Sequence, residues 1–267
     1  MRLTRRGFFF GMGAGGALIA AWALTPRRYA APLKAGPGEY AFDAWLKIGT
    51  DGVVSVAVPD LEMGQGITTL LPQVVALELG ADWRQVAVEP APVSGAYANS
   101  VLAAEWAPLW LPLLSGLADT PDSLLARRFA EREAFTATAD GTALAAHEAA
   151  ARGAAAGARA LLAQAAAAKW GVAWEECEAQ GGCILHGKNR AAFGELVEAA
   201  ATYTPPHPPV LRATAPRERP GDFPPGAPLP FPRLDLPSKI DGSFAFAGDV
   251  RLPDMVYAAI QIGRAHV

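Results

Sequence analysis

The chain has 267 residues, of which 51% are apolar and 18% are charged, and its formal net charge is −3. This is enough apolar material for a sizeable core in one or two domains. The charge is too small and too mixed to favour nucleic acid, and the basic residues form no patch interleaved with aromatic residues, so nucleic-acid binding is the least favoured function class.

Residues 1–30 have the pattern of an export signal. Arg5 and Arg6 precede an apolar, glycine-interrupted stretch that runs to Leu24, and two further arginines follow it. A paired arginine before a moderately apolar segment is typical of the twin-arginine signals of bacterial export. The alternative is a single transmembrane anchor, because the segment is just long enough to span a bilayer. The pattern predicts a periplasmic protein that reaches its compartment already folded, and that is membrane-associated if the leader is retained.

Residues 31–203 combine short apolar runs with helical patterns, which favours an α+β domain. In chain order, the expected elements are strands over 45–48 and 53–58, a helix from Thr68 or Thr69 to Gly80, a strand over 83–88, an irregular helical insertion over 100–133, a helix over 143–170, a hairpin around Gly181 and Gly182, and a helix over 193–201. Pro72 is expected in the first turn of its helix, because proline disrupts a helix interior. Gly153 and Gly157 lie one turn apart and would let another backbone approach the long helix.

A Pro-rich stretch divides the remaining chain. Residues 204–232 are dense in proline and predict a linker rather than a packed element. Residues 233–261 begin a new unit with an alternating run over 243–246. Cys177 and Cys183, the only two cysteines, are too few for a four-cysteine iron–sulfur or zinc site. They are interpreted as buried thiols, with a disulfide across a hairpin as the less favoured alternative.

The sharpest local feature is Gly64-Gln65-Gly66, between a strand and a helix. Two glycines allow left-handed backbone angles and the close approach of a ligand. The helix start offers unpaired N–H groups and a positive dipole end, which favour phosphate. The amide of Gln65 can donate and accept hydrogen bonds at the edge of a heterocycle. A plain tight turn before a capped helix would explain the same residues equally well.

Several longer stretches strengthen the first interpretation. The run over 62–69 (EMGQGITT), followed by ALELGADW over 76–83, resembles the cofactor-binding stretch of the xanthine dehydrogenase and aldehyde oxidase family of molybdenum hydroxylases. The nearest branch is that of the isoquinoline 1-oxidoreductase beta subunits and related membrane-associated aldehyde dehydrogenases. FGEL over 193–196 resembles the family's next marker, and the stretches over 232–242 and 249–258 resemble the opening of its α/β hammerhead domain.

The resemblance implies the first part of a molybdopterin-binding domain over residues 31–203, followed by the start of a hammerhead domain over 233–261. It implies a molybdenum–molybdopterin cofactor, for which the bacterial leader favours the cytosine dinucleotide form. The full-length enzyme would hydroxylate an aldehyde or N-heterocycle with oxygen from water. Electrons would leave through a small [2Fe-2S] partner subunit, with a c-type cytochrome as a further partner.

The resemblance also implies site residues. Gln65 would bind the pterin or a molybdenum ligand, and Gly64, Gly66 and Thr69 would shape the phosphate contact. A second family loop corresponds to residues 138–145, where Gly141 and Thr142 are candidate cofactor contacts. Asp140 in that loop would repel a phosphate, so a simple turn with Thr142 near the helix cap explains it equally well.

No catalytic or metal-binding residue is predicted in the chain. The catalytic glutamate of the family is expected near the C-terminus of a much longer subunit. The four histidines are His147, His186, His207 and His266; they have no metal-ligand spacing and are interpreted as surface or hydrogen-bonded side chains. Residues 262–267 are interpreted as a non-native tail of a truncated reading frame, so the fragment alone is expected to be inactive. The rival hypotheses are a non-catalytic exported binding protein and a membrane-anchored scaffold.

Overall fold

A computed structural model describes Tyr29, residues 32–213, residues 231–259 and Gly263. The predicted leader, apart from Tyr29, and the predicted tail, apart from Gly263, lie outside these residues. The chain divides into two units, Met1–Pro232 and Arg233–Val267. Over the described residues the architecture is mixed α+β, as the sequence pattern predicted, and it contains two small sheets and several helices.

The first sheet has four strands in the order β1-β2-β3-β4. They are β1 (Glu39–Phe42), β2 (Leu46–Gly49), β3 (Val54–Val58) and β4 (Val86–Pro90). The first three strands pair antiparallel, and β4 pairs parallel with β3. Gly52, with φ of 84°, turns the chain between β2 and β3 and confirms the predicted hairpin. Every residue of β2 is buried, so this strand lies at the centre of the core.

A helix, α1 (Ile67–Leu79), connects the parallel strands β3 and β4. It begins one or two residues before the expected start, so the prediction that Pro72 lies in the first turn is wrong. Pro72 lies in the second turn, where it cannot donate to the Thr68 carbonyl. The helix continues because its inner face, with Leu71 and Val75 fully buried, packs into the core.

The strand expected over 83–88 begins later than predicted. Trp83–Gln85 form a 3₁₀ turn, capped by Asp82, whose side chain accepts from the backbone N–H of Arg84 at 3.1 Å. The chain becomes extended only at Val86, where pairing with β3 begins. Local capping therefore competes with strand formation in the first half of this segment.

The longest helix, α5 (Ala143–Trp170), has the predicted bounds and ends at Gly171, whose φ is 68°. Its inner face is built largely of buried alanines, which allow close packing against α1. Before it, the predicted irregular insertion consists of α2 (Ser100–Glu105), α3 (Ala107–Trp110) and α4 (Leu124–Glu133).

The second sheet is an antiparallel meander of β5 (Glu178–Gln180), β6 (Cys183–His186) and β7 (Asn189–Ala192). The hairpin predicted at Gly181 and Gly182 joins β5 to β6, and both cysteines of the chain are free thiols. Helix α6 (Phe193–Ala200) follows. A Cβ on Gly194 would lie 2.3 Å from the carbonyl oxygen of Thr50, so this glycine lets α6 approach the β2–β3 turn.

The described part of the Pro-rich stretch, residues 204–213, has neither helix nor strand and no buried residue, but arginines of α5 bind two of its carbonyl oxygens. Arg159 donates to the carbonyl oxygen of Val210 at 2.7 Å, and Arg152 donates to that of Arg212 at 2.9 Å. A Cβ on Gly153 or Gly157 would make ordinary contact with a proline of this stretch. The neighbours of these glycines are thus side-chain atoms of Pro209 and Pro205, and the close backbone approach that was expected here is not seen among the described residues.

The second unit contains helix α7 (Leu236–Asp241), which ends at Gly242 with φ of 79°. The alternating run over 243–246 does not form a strand, and no strand occurs among residues 231–259. That this unit opens a hammerhead domain stays a prediction. In the part of the chain that the structure describes, no helix combines the length and the hydropathy needed to cross a bilayer.

Candidate functional site

The loop between β3 and α1 has the backbone conformation that its glycines predicted. Gly64 and Gly66 have φ of 103° and 85°, in the left-handed region that side chains other than glycine rarely adopt. Gly64 and Gln65 are exposed, and a Cβ on Gly64 would meet no atom within 4 Å. The outer side of this loop is therefore open to a ligand.

The amides at the start of α1 are already paired within the chain. One carboxylate oxygen of Glu62 accepts from the backbone N–H groups of Gly64 at 2.8 Å and Gly66 at 2.9 Å. Its other oxygen accepts from the backbone N–H of Thr68 at 3.1 Å and from the Thr68 hydroxyl at 2.9 Å. The expectation of unpaired N–H groups at this helix start is wrong for these three residues, because Glu62 occupies the position in which a bound anion was expected.

These bonds change the acidity of Glu62. Partial burial raises the pKa of its carboxyl, but the hydrogen bonds from Gly66, Thr68 and Gly64 together outweigh burial and leave the pKa below its ordinary value of 4.5. Glu62 is therefore ionised at neutral pH. Its negative charge also complements the positive end of the α1 dipole.

The side chain of Gln65 folds back over its own loop. Its Oε1 accepts from the backbone N–H of Met63 at 2.6 Å, and its Nε2 donates to the carbonyl oxygen of Leu61 at 2.7 Å. A primary amide has two N–H donors and two acceptor lone pairs. One donor and one lone pair of Gln65 therefore stay available, on a side chain that is exposed to solvent.

Residues 138–142 form the loop part of the second predicted loop, 138–145, whose last three residues begin α5, and this part lies directly beside the first loop. The backbone N–H of Leu61 donates to the Thr138 hydroxyl oxygen at 3.0 Å, and that hydroxyl donates to Asp60 Oδ1 at 3.2 Å. The two loops are 77 residues apart in sequence at this contact. The structure therefore brings together the two segments that the sequence singled out.

The candidate residues of the second loop differ in exposure. Gly141 is exposed, with φ of 70°. Thr142 is buried at the start of α5, where its hydroxyl donates to the Ala139 carbonyl oxygen and accepts from Asn99 Nδ2, both at 2.9 Å. Asp140, expected to repel phosphate, accepts from the indole N–H of Trp106 at 2.9 Å. Thr142 thus has the position near the helix cap that the simple-turn interpretation predicted.

Thr69, the other candidate hydroxyl, is also interior, with 5% of its surface exposed. The Thr68 hydroxyl lies beside the first loop, through its bond to Glu62. The exposed candidates are therefore Gly64, Gln65 and Gly141. Ligand contacts for all six candidate residues stay predictions.

A buried ionisable pair beneath both loops was missed in the sequence. His147 Nε2 lies 3.0 Å from Asp60 Oδ2, and the two residues are 1% and 6% exposed. Neither atom has well-directed hydrogen-bond geometry, so the contact is close but not an ideal bond. His147 is on the inner face of α5, one turn before the fully buried Ala151. The spacing of His147 from Ala151 was the sequence signal that His147 is buried. It could not identify Asp60, 87 positions earlier, as the partner.

The remaining features do not extend this site. A cavity of about 490 Å³ lies between α5 and residues 203–209, and neither predicted loop lines it. Within the described ranges, no three His, Cys, Asp or Glu side chains are grouped so that they could hold a metal ion. The chemistry available at the surface of the two loops is that of an amide, exposed glycine backbone and a paired carboxylate.

Two curated proteins are similar to this chain. It is 29% identical to isoquinoline 1-oxidoreductase subunit beta of Brevundimonas diminuta, over 98% of the chain and 34% of that protein. It is 30% identical to the membrane-bound aldehyde dehydrogenase [pyrroloquinoline-quinone] of Gluconacetobacter polyoxogenes, over 41% of the chain and 14% of that protein. No family model matches the chain. The chain spans about a third of the length of the first relative. It is a homologue of the isoquinoline 1-oxidoreductase beta subunit, and this confirms the family relationship that its sequence motifs predicted.

Proposed function

We propose that the chain supplies cofactor-binding loops to a molybdenum-dependent oxidoreductase that hydroxylates an aldehyde or an N-heterocycle, with water as the oxygen source. The observation that carries the proposal is the Gly64-Gln65-Gly66 loop, which is exposed at Gly64 and Gln65 and is held against the 138–142 loop in a homologue of an oxidoreductase subunit. A molybdenum–molybdopterin cofactor supplies two-electron redox chemistry at such a site.

The residues of the first loop fit one edge of a pterin. Gln65 keeps one N–H donor and one acceptor lone pair, which match the mixed donors and acceptors of a heterocycle edge. Gly64 has no side chain and no neighbour where a Cβ would be, so a flat ring could approach its backbone. Gly141 would add exposed backbone from the second loop. These residues would bind and orient the cofactor, and none of them supplies an acid or a base.

A phosphate fits less well at the start of α1. Glu62 already pairs the amides of Gly64, Gly66 and Thr68, and its charge would repel a second anion there. The nucleotide part of the cofactor, proposed to be cytosine dinucleotide, would therefore be bound by other residues. The substrate pocket and the catalytic glutamate are likewise proposed to belong to the part of the full-length enzyme that this chain does not cover.

The test is the cofactor content of the purified intact subunit, measured as molybdenum and phosphorus per chain. We expect both in stoichiometric amounts, and we expect Gln65→Ala to lower molybdenum content and activity. The control is Glu198→Ala, on the exposed side of α6. The name of the second relative includes pyrroloquinoline quinone, so quinone is measured in the same sample. Quinone without molybdenum, or a Gln65→Ala variant with unchanged molybdenum, would refute the proposal.

The assembly and location proposed for the parent enzyme follow from the same relationship. The name of the first relative designates a beta subunit, which supports a complex with other subunits. We propose that the partners are a small [2Fe-2S] subunit and a c-type cytochrome, and that the twin-arginine leader directs the complex to the periplasm. Fractionation of cells with Arg5 and Arg6 both replaced by lysine tests this, since export by that route would stop. A periplasmic pool that persists at the wild-type level would contradict it.

A further inference from the structure

Glu62 is saturated by its own loop. A carboxylate offers about four acceptor positions, and the four bonds from Gly64, Gly66 and Thr68 use two on each oxygen. No acceptor position is left for a ligand or for a proton in transit. Its chemistry is therefore that of a fixed internal anion.

The same bonds fix the conformation around Gln65. The N–H groups that bind Glu62 belong to the residues on both sides of Gln65, so the carboxylate holds both left-handed glycines in place. The amide of Gln65 adds its bonds to Met63 and Leu61 from the other side. The Gln65 side chain is thereby fixed on the exposed surface of the loop.

We propose that Glu62 is a positioning residue, an internal anion that replaces a ligand phosphate at the start of α1 and holds Gln65 ready to contact the cofactor. The role toward the cofactor rests on the proposed function. That Glu62 occupies the anion position at the start of α1 does not rest on the proposed function, because it concerns only the residues of this chain.

Two consequences separate this arrangement from a phosphate-binding helix start. In the wild-type chain, inorganic phosphate has no free amide to bind at Gly64, Gly66 or Thr68. In Glu62→Ala, the same amides surround an empty position that a small anion can refill. A residue that merely stabilised the loop by packing would leave no such position for an anion.

The experiment is an amide NMR titration of the full 267-residue chain with phosphate and with acetate, together with thermal unfolding. For the wild-type chain, we expect no saturable shift of the Gly64, Gly66 and Thr68 amide resonances. For Glu62→Ala, we expect a melting temperature lower by about 2–8 °C, and its partial recovery by acetate or phosphate but not by chloride of equal ionic strength. Glu198→Ala is the control and should respond to none of these anions.

A saturable shift of these amides by phosphate in the wild-type chain would overturn the proposal, and this measurement needs no variant to fold. Wild-type stability of Glu62→Ala, without anion rescue, would overturn it equally. In the intact subunit, Glu62→Ala should lose molybdenum to the same extent as Gln65→Ala, and wild-type molybdenum content would refute the positioning role. If the wild-type subunit itself holds no molybdenum, the proposed function fails, whereas the anion titrations still decide whether Glu62 fills this position.

Discussion

Replacing Glu78 with alanine should release the proline-rich segment 204–213 from the rest of the unit. Glu78 is 2% exposed, and its carboxylate accepts from Arg152 Nε, from an Arg159 guanidinium N–H and from the backbone N–H of Arg212, each at 2.8 Å. The same arginines hold carbonyl oxygens of this segment. Glu78 is therefore the anion around which the contact is built.

The loss of stability in Glu78→Ala depends on how far water can hydrate the arginine side chains that lose their carboxylate partner. Removing one partner of a fully buried pair costs roughly 3–5 kcal/mol. The side chains of Arg152 and Arg159 keep 25% and 23% of their surface exposed, so water recovers part of that loss. The guanidinium of Arg212 has a lowered pKa, because burial and then the nearby Arg159 disfavour its charge, and it would lose a favourable anion as well. We expect Glu78→Ala to lower the free energy of unfolding by about 2–4 kcal/mol.

The assay is urea unfolding, combined with hydrogen exchange of the Arg212 amide. That amide should exchange much faster in Glu78→Ala, because its acceptor is gone. Glu198→Ala is the control, since a substitution at an exposed site away from such contacts usually changes stability by less than about 0.5 kcal/mol. A loss below about 0.5 kcal/mol in Glu78→Ala, or unchanged exchange at Arg212, would show that the segment is not held in this way.

Four further predictions concern stability. Gly194→Ala should destabilise the chain by about 1–3 kcal/mol, because its Cβ would lie 2.3 Å from the Thr50 carbonyl oxygen. Gly153→Ala should instead stabilise α5 by about 0.5–1 kcal/mol, because its Cβ meets only ordinary contact, and urea unfolding that ranks the two variants in the opposite order would contradict both. The stability difference between wild type and Glu62→Gln should be fully present above the ordinary carboxyl pKa of 4.5 and be lost as pH falls through the lowered folded-state pKa; a constant difference in pH-dependent melting would refute this. Asn99→Ala should cost about 1–3 kcal/mol, because the fully buried amide caps α2 at Leu102 and donates to Thr142, and a change below about 0.5 kcal/mol in thermal unfolding would contradict that role.

The features that the sequence predicted well are those decided by neighbouring residues. The turn at Gly52, the end of α5 at Gly171 and the left-handed angles of Gly64 and Gly66 all follow from the local freedom of glycine. The error at Pro72 has the opposite origin. The local preference of proline for a first turn was outweighed by burial of the inner face of α1, which is a tertiary effect.

The parts of the site that were missed depend on side chains that meet only after folding. Glu62 was part of the motif that carried the family resemblance. The spacing of that motif does not show that the Glu62 carboxylate accepts from three backbone amides of its own loop. The contact of His147 with Asp60 joins the second turn of α5 to the loop that follows β3, and nothing in either segment indicates the other. The Pro-rich stretch was predicted as a linker, and its composition alone does not reveal the arginines that bind its carbonyl oxygens.

The hydrogen bonds within the first loop determine whether its backbone loses its conformational entropy during folding or during ligand binding. Left-handed glycines lose much backbone entropy on ordering, and a loop that depended on a ligand would lose it during binding. Here the side chains of Glu62 and Gln65 form hydrogen bonds with the backbone of their own loop, and the Thr138 hydroxyl of the neighbouring loop accepts from the Leu61 N–H. The ordering cost is therefore met during folding, so a ligand that contacts Gln65 retains more of its interaction energy as affinity. An ordered, open loop is what a site that must orient a cofactor requires, and the internal carboxylate is the physical reason that this loop is ordered without one.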